Sequence, residues 1–338
     1  MNKSLAIIML NWNGTQDTIE SLQSLKDNIE TYDIFLLDNA SKENQIEQMY
    51  AFLKEDHFFN TVIETTTTFC GKGRNEEPQN LYYIISDENM GFAGGNNYIA
   101  DQLKQEYDYL LLLNNDTVVV GDAIASMLNL IRAKKHVAVT CDIRYFSEPD
   151  VLWNAGGDIM WYGDRKYYPQ SMVDEWIRKG IEDINAQFIT GCALLIDSEY
   201  IRANGLFTDK FFHGEEDYNF CMNVANRGGT LGVDLTAKIY HKVGRSIAKH
   251  QNNPKQLRGR VVHYTNRVID YKHILDGLQW KLWRELYLLL ITVKAVFSRN
   301  SDLKTAIHVA GKVRSYSNKY DHVRKDVFME IMSDSEIA

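Results

Sequence analysis

Three consecutive acids, Glu215, Glu216 and Asp217, follow Phe211-Phe212-His213-Gly214 and precede Tyr218. A carboxylate held among aromatic side chains is partly desolvated. Desolvation raises its pKa and fits it to take a proton from a hydroxyl group, and neighbouring acids push in the same direction. The same acids at the start of a helix would also stabilise its positive end, so the spacing leaves both roles open. Asp116 comes just after the apolar run 110–113 and so stands at a strand end, where a hard cation can bridge a carboxylate to a diphosphate. His241 follows the strand-like run 237–240, and one imidazole among oxygen ligands suits manganese better than calcium. Lys242 and Arg245 lie just beyond, placed to meet phosphate charge.

These groups need a frame. Through the first half, short apolar runs alternate with helix-like segments, the order of a mainly parallel sheet covered by helices. The spacing predicts strands at 5–10, 34–37, 82–85 and 110–113, with Thr15 capping a helix that carries Ile19, Leu22 and Leu25. The strands end in polar clusters: Asn11-Trp12-Asn13-Gly14, Asp38-Asn39-Ala40-Ser41, the stretch 88–97, and Asn114-Asn115-Asp116-Thr117. One such cluster is ordinary turn composition. Four in succession, at the carboxyl ends of parallel strands, predict one ligand crevice.

Elsewhere the signal is weaker. Residues 65–80 read as an inserted loop, and Gly71 and Gly73 lack the strand and helix of a phosphate loop. The aromatic residues of 137–187, Trp153 among them, either line a sugar site or pack. After Pro254 the pattern turns helical over 256–275 and 278–297, followed by a basic segment, 304–325, and an acidic end, 326–336, expected to fray. The helix at 278–297 joins Trp280, Trp283, Leu286, Leu290 and Phe297 to Lys281, Arg284 and Lys294. That composition fits a membrane-interface helix, or a helix packed on the rest of the chain or on a dimer partner.

A length of 338 residues with 45% hydrophobic composition permits about two domains, expected at 1–250 and 251–338. With 37 basic against 45 acidic residues the net charge is −8, the wrong sign for a protein that binds by neutralising nucleic-acid phosphates. Cys70, Cys141, Cys192 and Cys221 lie far apart, without zinc or redox spacing, and read as reduced thiols. The opening apolar segment is too short for a signal peptide, and the run 286–297 is too short to span a bilayer. The expected location is the cytoplasm, with peripheral contact at the inner face of the cell membrane as an option.

The opening strand into Asn11-Trp12-Asn13, Asp38-Asn39-Ala40-Ser41, the run from Asn89 to Asn97, Leu113-Asn114-Asn115-Asp116, Gly191 with Leu194-Leu195-Ile196, Gly205-Leu206-Phe207 through Glu216-Asp217, and His241 follow a recognisable order. In that order and spacing the sequence resembles glycosyltransferase family 2 over roughly residues 5–245. These are inverting enzymes with the GT-A fold, a Rossmann-like α/β architecture, that use nucleotide-sugar donors. The pattern is most similar to bacterial rhamnosyltransferase-like and galactofuranosyltransferase-like members that build surface polysaccharides such as O-antigen or capsule. His263-Tyr264-Thr265-Asn266-Arg267 resembles the start of their helical tail.

The resemblance implies roles. Asp38 would meet the pyrimidine or ribose, and Asn89 and Gly91 the nucleotide side of the donor, with Asn11, Asn97, Asn114, Asn115 and Arg245 as further donor contacts. Asp116 and His241 would hold a divalent cation, Mn2+ or Mg2+, against the diphosphate. Asp217 would be the base, with Glu216 as its substitute, and Trp153 and Glu215 would contact the acceptor. The implied donor is dTDP-L-rhamnose or a UDP-sugar such as UDP-galactofuranose, and the acceptor a saccharide or lipid-linked saccharide; a homodimer is an option. Asn114 departs from the family pattern, which usually has an acid there, and Asn219 and Asn223 stand where a second Asp and an Arg are frequent. A nucleotidyltransferase would need a Gly-rich, Arg-bearing loop after the first strand, and a dinucleotide oxidoreductase GxGxxG near the amino terminus; neither is present. A catalytically silent nucleotide-sugar-binding scaffold is kept open by Asn114.

Overall fold

The computed structural model describes residues 3–26, 32–69, 80–243, 253–298 and 301–337. The first half runs β1 (Lys3–Asn11), α1 (Thr15–Leu25), β2 (Asp33–Asn39), α2 (Glu43–Glu55), β3 (Asn60–Thr65), β4 (Asn80–Ser86), α3 (Gly91–Leu103), β5 (Tyr107–Leu113), β6 (Thr117–Val120) and α4 (Ala123–Lys134). It continues through β7 (Ala138–Tyr145), β8 (Leu152–Asn154), β9 (Gly157–Ile159), β10 (Arg165–Tyr167), α5 (Gln170–Arg178), β11 (Asp183–Ala186), β12 (Ala193–Asp197), α6 (Ser198–Asn204), α7 (Glu216–Asn226) and β13 (Leu231–His241). Four helices close it: α8 (Pro254–Lys272), α9 (Gly277–Phe297), α10 (Leu303–Lys319) and α11 (Lys325–Ser333).

The main sheet has the order β3-β4-β2-β1-β5-β12-β7-β13-β11, parallel from β3 to β5, with β12 antiparallel to both its neighbours. The four strands predicted from sequence are β1, β2, β4 and β5, and they lie side by side in its parallel part. Side chains of β1 alternate between two apolar layers, Leu5, Ile7 and Met9 on one face and Ala6 and Ile8 on the other. A strand buried on both faces reads as an unbroken apolar run. The layer under Ala6 and Ile8 continues through α3 and α7 into Val261, Trp280, Val313 and Val327 of the four closing helices. The carboxyl-terminal helices therefore share one apolar core with the main sheet.

Two expectations are corrected. Gly14, not Thr15, sits at the cap of α1; Thr15 is the first helical residue and its hydroxyl donates to the Gln45 carbonyl at 3.0 Å. The acidic end does not fray: α11 buries Val327 and Ile331, and Ile337 beyond it is buried too. Of the expected loop 65–80, residues 70–79, with Cys70, Gly71 and Gly73, lie outside the described residues, and β3 ahead of it is an added edge strand. Strand β7 escaped the sequence reading because Thr140, Asp142 and Arg144 interrupt its apolar run. Each is buried with a partner, Arg144 bridging Asp142 at 2.9 Å and Asp174 at 2.8 Å. Cys141, Cys192 and Cys221 are buried free thiols whose pKa is pushed up by desolvation. Among the described residues no helix is long and apolar enough to cross a membrane.

Candidate active site

Strands β1 and β2 pair in parallel with Asn11 opposite Asp38. Their side chains meet at the sheet edge, Asn11 Nδ2 donating to Asp38 Oδ2 at 2.9 Å. Asp38 is fully buried and also accepts from the Ser41 N–H at 2.7 Å and the Tyr83 hydroxyl at 3.3 Å. Three donors offset the cost of desolvating this carboxylate, and burial with Asp38 alongside pushes the Tyr83 hydroxyl pKa up. Asp38 thus braces the loops from a fully buried position. Asn115 joins the brace, its Nδ2 donating to Thr18 Oγ1 at 2.8 Å and Asn11 Oδ1 at 3.3 Å.

Asn39, which sequence reasoning left without a role, reaches across to the loop after β4. Its Oδ1 accepts from Met90 N–H at 2.8 Å and its Nδ2 donates to the Gly91 carbonyl at 3.1 Å, while Asn89 Oδ1 takes the Gly91 N–H at 2.8 Å. Gly91 has φ +75°, and a Cβ there would stand 2.3 Å from the Phe212 carbonyl oxygen, so only glycine fits. That same carbonyl accepts from the Phe92 N–H at 3.2 Å, tying this loop to the acidic segment. Asn97 is turned elsewhere: both ends of its amide bond the Phe207 backbone, at 2.9 and 3.0 Å.

A cleft of about 430 Å³ opens at this edge, lined by Trp12, Asp17, Phe92, Asn96, Asn114 and Asp116 among others. Its far wall is set by the pairing of β6 with β13, which puts Thr117 opposite His241. Asp116 is thereby carried next to the imidazole, with Oδ1 3.0 Å from His241 Nε2. His241 is buried, its Nδ1 has no hydrogen-bond partner, and Trp153 packs edge-on against the ring at 4.3 Å. Trp153 therefore stands beside the Asp116–His241 pair. Lys242 is engaged by Asp17 at 3.0 Å and by Glu20, and Arg245 lies outside the described residues. No three metal-binding side chains cluster among the described residues.

The three acids have three fates. Glu215 is fully buried and paired with Arg267 through Nε and, at 3.2 Å, through Nη2; it has no surface to offer an acceptor, against the expectation for it. Burial pushes its carboxyl up to about 7 although the Arg267 and Arg165 guanidiniums pull it down. Glu216 bends back onto the backbone, accepting from Gly214 N–H at 2.6 Å and Glu215 N–H at 3.0 Å. Asp217 is part-exposed, accepting from Arg165 Nη2 at 3.0 Å and from Tyr218 N–H at 2.8 Å. A Cβ on Gly191 would lie 3.3 Å from the Phe92 ring and 3.7 Å from the Asp217 Cβ, so Asp217 stands just behind a wall of the cleft.

Helix α8 holds this acidic segment from outside. The Arg267 guanidinium lies over the Tyr218 ring, 3.3 Å from its centroid, and donates to the Gly163 carbonyl as well as to Glu215. Asn266 donates to the His213 carbonyl at 2.9 Å, Asp270 accepts from Asn219 at 2.7 Å, and the hydroxyls of Tyr271 and Tyr218 meet at 2.9 Å. Burial raises the Asp270 pKa. Arg165 and Arg267 were both missed as site residues. Arg267 stood in the quoted tail motif without a role, and nothing around Arg165 in sequence marks it.

A family model for glycosyl transferase family 2 matches residues 6–204. The chain belongs to glycosyl transferase family 2. Among solved structures, the crystal structure of GalNAc-T7 with UDP, GalNAc and Mn2+ is similar to this glycosyltransferase with a TM-score of 0.57 and 15% identity, over 85% of this chain and 54% of that one. The chain thus spans about half the length of that neighbour, and the likeness is one of fold, GT-A. No curated protein matches the chain. The cleft opens beyond the carboxyl ends of β1, β4 and β5, the edge of an open parallel sheet where ligands bind.

Proposed function

We propose that the glycosyltransferase moves a sugar with inversion from a pyrimidine nucleotide-diphosphate donor to a saccharide acceptor, with Asp217 as general base. The observation that carries this reading is the separate fate of the three acids: Glu215 is sealed by Arg267, Glu216 is spent on backbone, and Asp217 alone is part-exposed, behind Phe92. In the proposed step the acceptor oxygen bonds to the anomeric carbon as its proton passes to the Asp217 carboxylate. The bond from that carbon to the diphosphate oxygen breaks, and its electron pair leaves with the nucleotide. Attack comes from the face opposite the leaving group, so configuration inverts.

The exposed ring of Trp12 at the mouth of the cleft offers the nucleobase a stacking surface. Asp116 and His241 fit a divalent cation, Mn2+ or Mg2+, as one carboxylate and one imidazole 3.0 Å apart beside the cleft. When bound, that ion would neutralise charge on the departing diphosphate; the GalNAc-T7 structure holds UDP, GalNAc and Mn2+. We take dTDP-L-rhamnose as the first donor and UDP-galactofuranose as the second, on the resemblance to enzymes of bacterial surface polysaccharide synthesis. The acceptor would be a saccharide or lipid-linked saccharide. Thermal unfolding with UDP, dTDP, GDP and CDP, each with and without Mn2+, tests the donor site. A rise confined to a pyrimidine diphosphate and enlarged by the metal is expected. No rise with any of them refutes the site, and a rise without transfer to any acceptor leaves the scaffold reading.

A further inference from the structure

Helix α9 has one face in the core, where Trp280, Tyr287, Leu288 and Ile291 are buried. The opposite face carries Leu278, Leu282, Leu286, Leu289, Val293 and Phe297, which are 39–85% exposed. At 100° per residue all six fall within an arc of about 100°, a stripe about 28 Å long. Leu303 and Ile307, also exposed, adjoin its end at the start of α10. A soluble chain rarely leaves so continuous an apolar surface uncovered.

The spacing of the stripe identifies what covers it. Its intervals are 4, 4, 3, 4 and 4 residues, the same read from either end. Leu278 and Phe297, Leu282 and Val293, and Leu286 and Leu289 are thus each equidistant from the point between Tyr287 and Leu288. A two-fold axis through that point sets a second α9 antiparallel to the first. Every exposed apolar side chain then meets one from the other copy, the self-complementarity an isologous interface demands. The six side chains with Leu303 and Ile307 offer on the order of 800 Å² per copy, the area each partner gives to a standard stable interface. Beside the stripe Glu285 is paired with Arg284 and Arg314, and Lys294 with Asp164, while Lys281 and Lys304 are exposed.

We infer that the glycosyltransferase is a homodimer joined through antiparallel α9 helices, with Leu278 of each copy against Phe297 of the other. Sedimentation of the full chain at micromolar concentration should give twice 39.0 kDa. The variant Leu282→Glu/Leu289→Glu should sediment as a monomer, its dimer affinity lowered more than 100-fold, with circular dichroism unchanged because both side chains already face solvent. In Leu278→Cys/Phe297→Cys, mild oxidation should link two chains, since the two positions are about 28 Å apart within one helix, while Leu278→Cys alone should link far less. A dimer that survives the glutamates, or one without the Leu278–Phe297 link, overturns the inference. So does a monomer that cosediments with phosphatidylcholine and phosphatidylglycerol vesicles only while the stripe is intact, which would make a lipid surface the occupant.

Discussion

Replacing Arg267 with methionine keeps most of the buried volume but removes the guanidinium from a Glu215 that has no access to water. Breaking a buried ion pair by deleting one member costs about 3–5 kcal/mol, because the other charge is left uncompensated. At a few degrees per kcal/mol the melting temperature should fall by about 10 °C. The loss should also depend on pH. Burial holds the Glu215 carboxyl at about 7 in the fold against 4.5 for a solvated glutamate, so the folded state holds its proton to higher pH than the unfolded chain. The contribution of this group therefore declines as pH rises from about 4.5 to about 7. Without Arg267 the folded value climbs further and the decline extends past 7, so the deficit of Arg267→Met should be larger at pH 8 than at pH 6. Adding Glu215→Gln removes the stranded charge and should recover part of the loss at pH 8. Thermal unfolding of the three proteins at both pH values is the assay. A deficit below about 1 kcal/mol, one that shrinks towards pH 8, or a double variant no better than Arg267→Met would refute the reasoning.

In Gly91→Ala the new Cβ would collide with the Phe212 carbonyl in a left-handed backbone position, so stability should fall by about 2 kcal/mol or more, with nucleotide binding weakened; a melting temperature within 1 °C of the parent would contradict this. Asp116→Ala should abolish the extra thermal stabilisation that Mn2+ adds to a nucleotide diphosphate, while any part independent of metal persists; an unchanged metal increment would remove Asp116 from the cation site. Arg165→Lys keeps the charge but loses the planar reach to Asp217 and Glu215. It should lower kcat by about 10- to 100-fold with little change in donor KM, and its pH–rate profile should shift because Asp217, the proposed base, loses its partner. A KM effect alone would make Arg165 a donor contact instead.

Where local chemistry decides the outcome, the sequence was readable. The four predicted strands announce themselves because both their faces are buried, and the polar residues after them must converge where parallel strands end. Asp116 beside His241 was legible as a pair of types, although only the β6–β13 pairing brings residues so distant in sequence to 3.0 Å. Strand β7 was not legible, since its buried Asp142 and Arg144 look like surface residues until Asp174 supplies their partner. Arg165 lies on a three-residue strand of a short hairpin, too brief to show a period in sequence. The three acids could not be ranked from sequence either. Arg267, about fifty residues further on, takes Glu215 out of contention, and the turn at Gly214 takes Glu216. The acidic end was misread because composition alone reports the exposed side of α11 and hides Val327 and Ile331.

The most direct test of the central claim is sugar transfer by Asp217→Asn beside the parent enzyme. The assay follows nucleotide diphosphate release from the dTDP- and UDP-sugars chosen by the thermal panel, with saccharide acceptors. If Asp217 is the general base we propose, its replacement by Asn, which keeps an oxygen for the Arg165 hydrogen bond, should lower the rate by about 10²- to 10⁴-fold, with nucleotide binding unchanged. Transfer at the parental rate by Asp217→Asn would contradict the account.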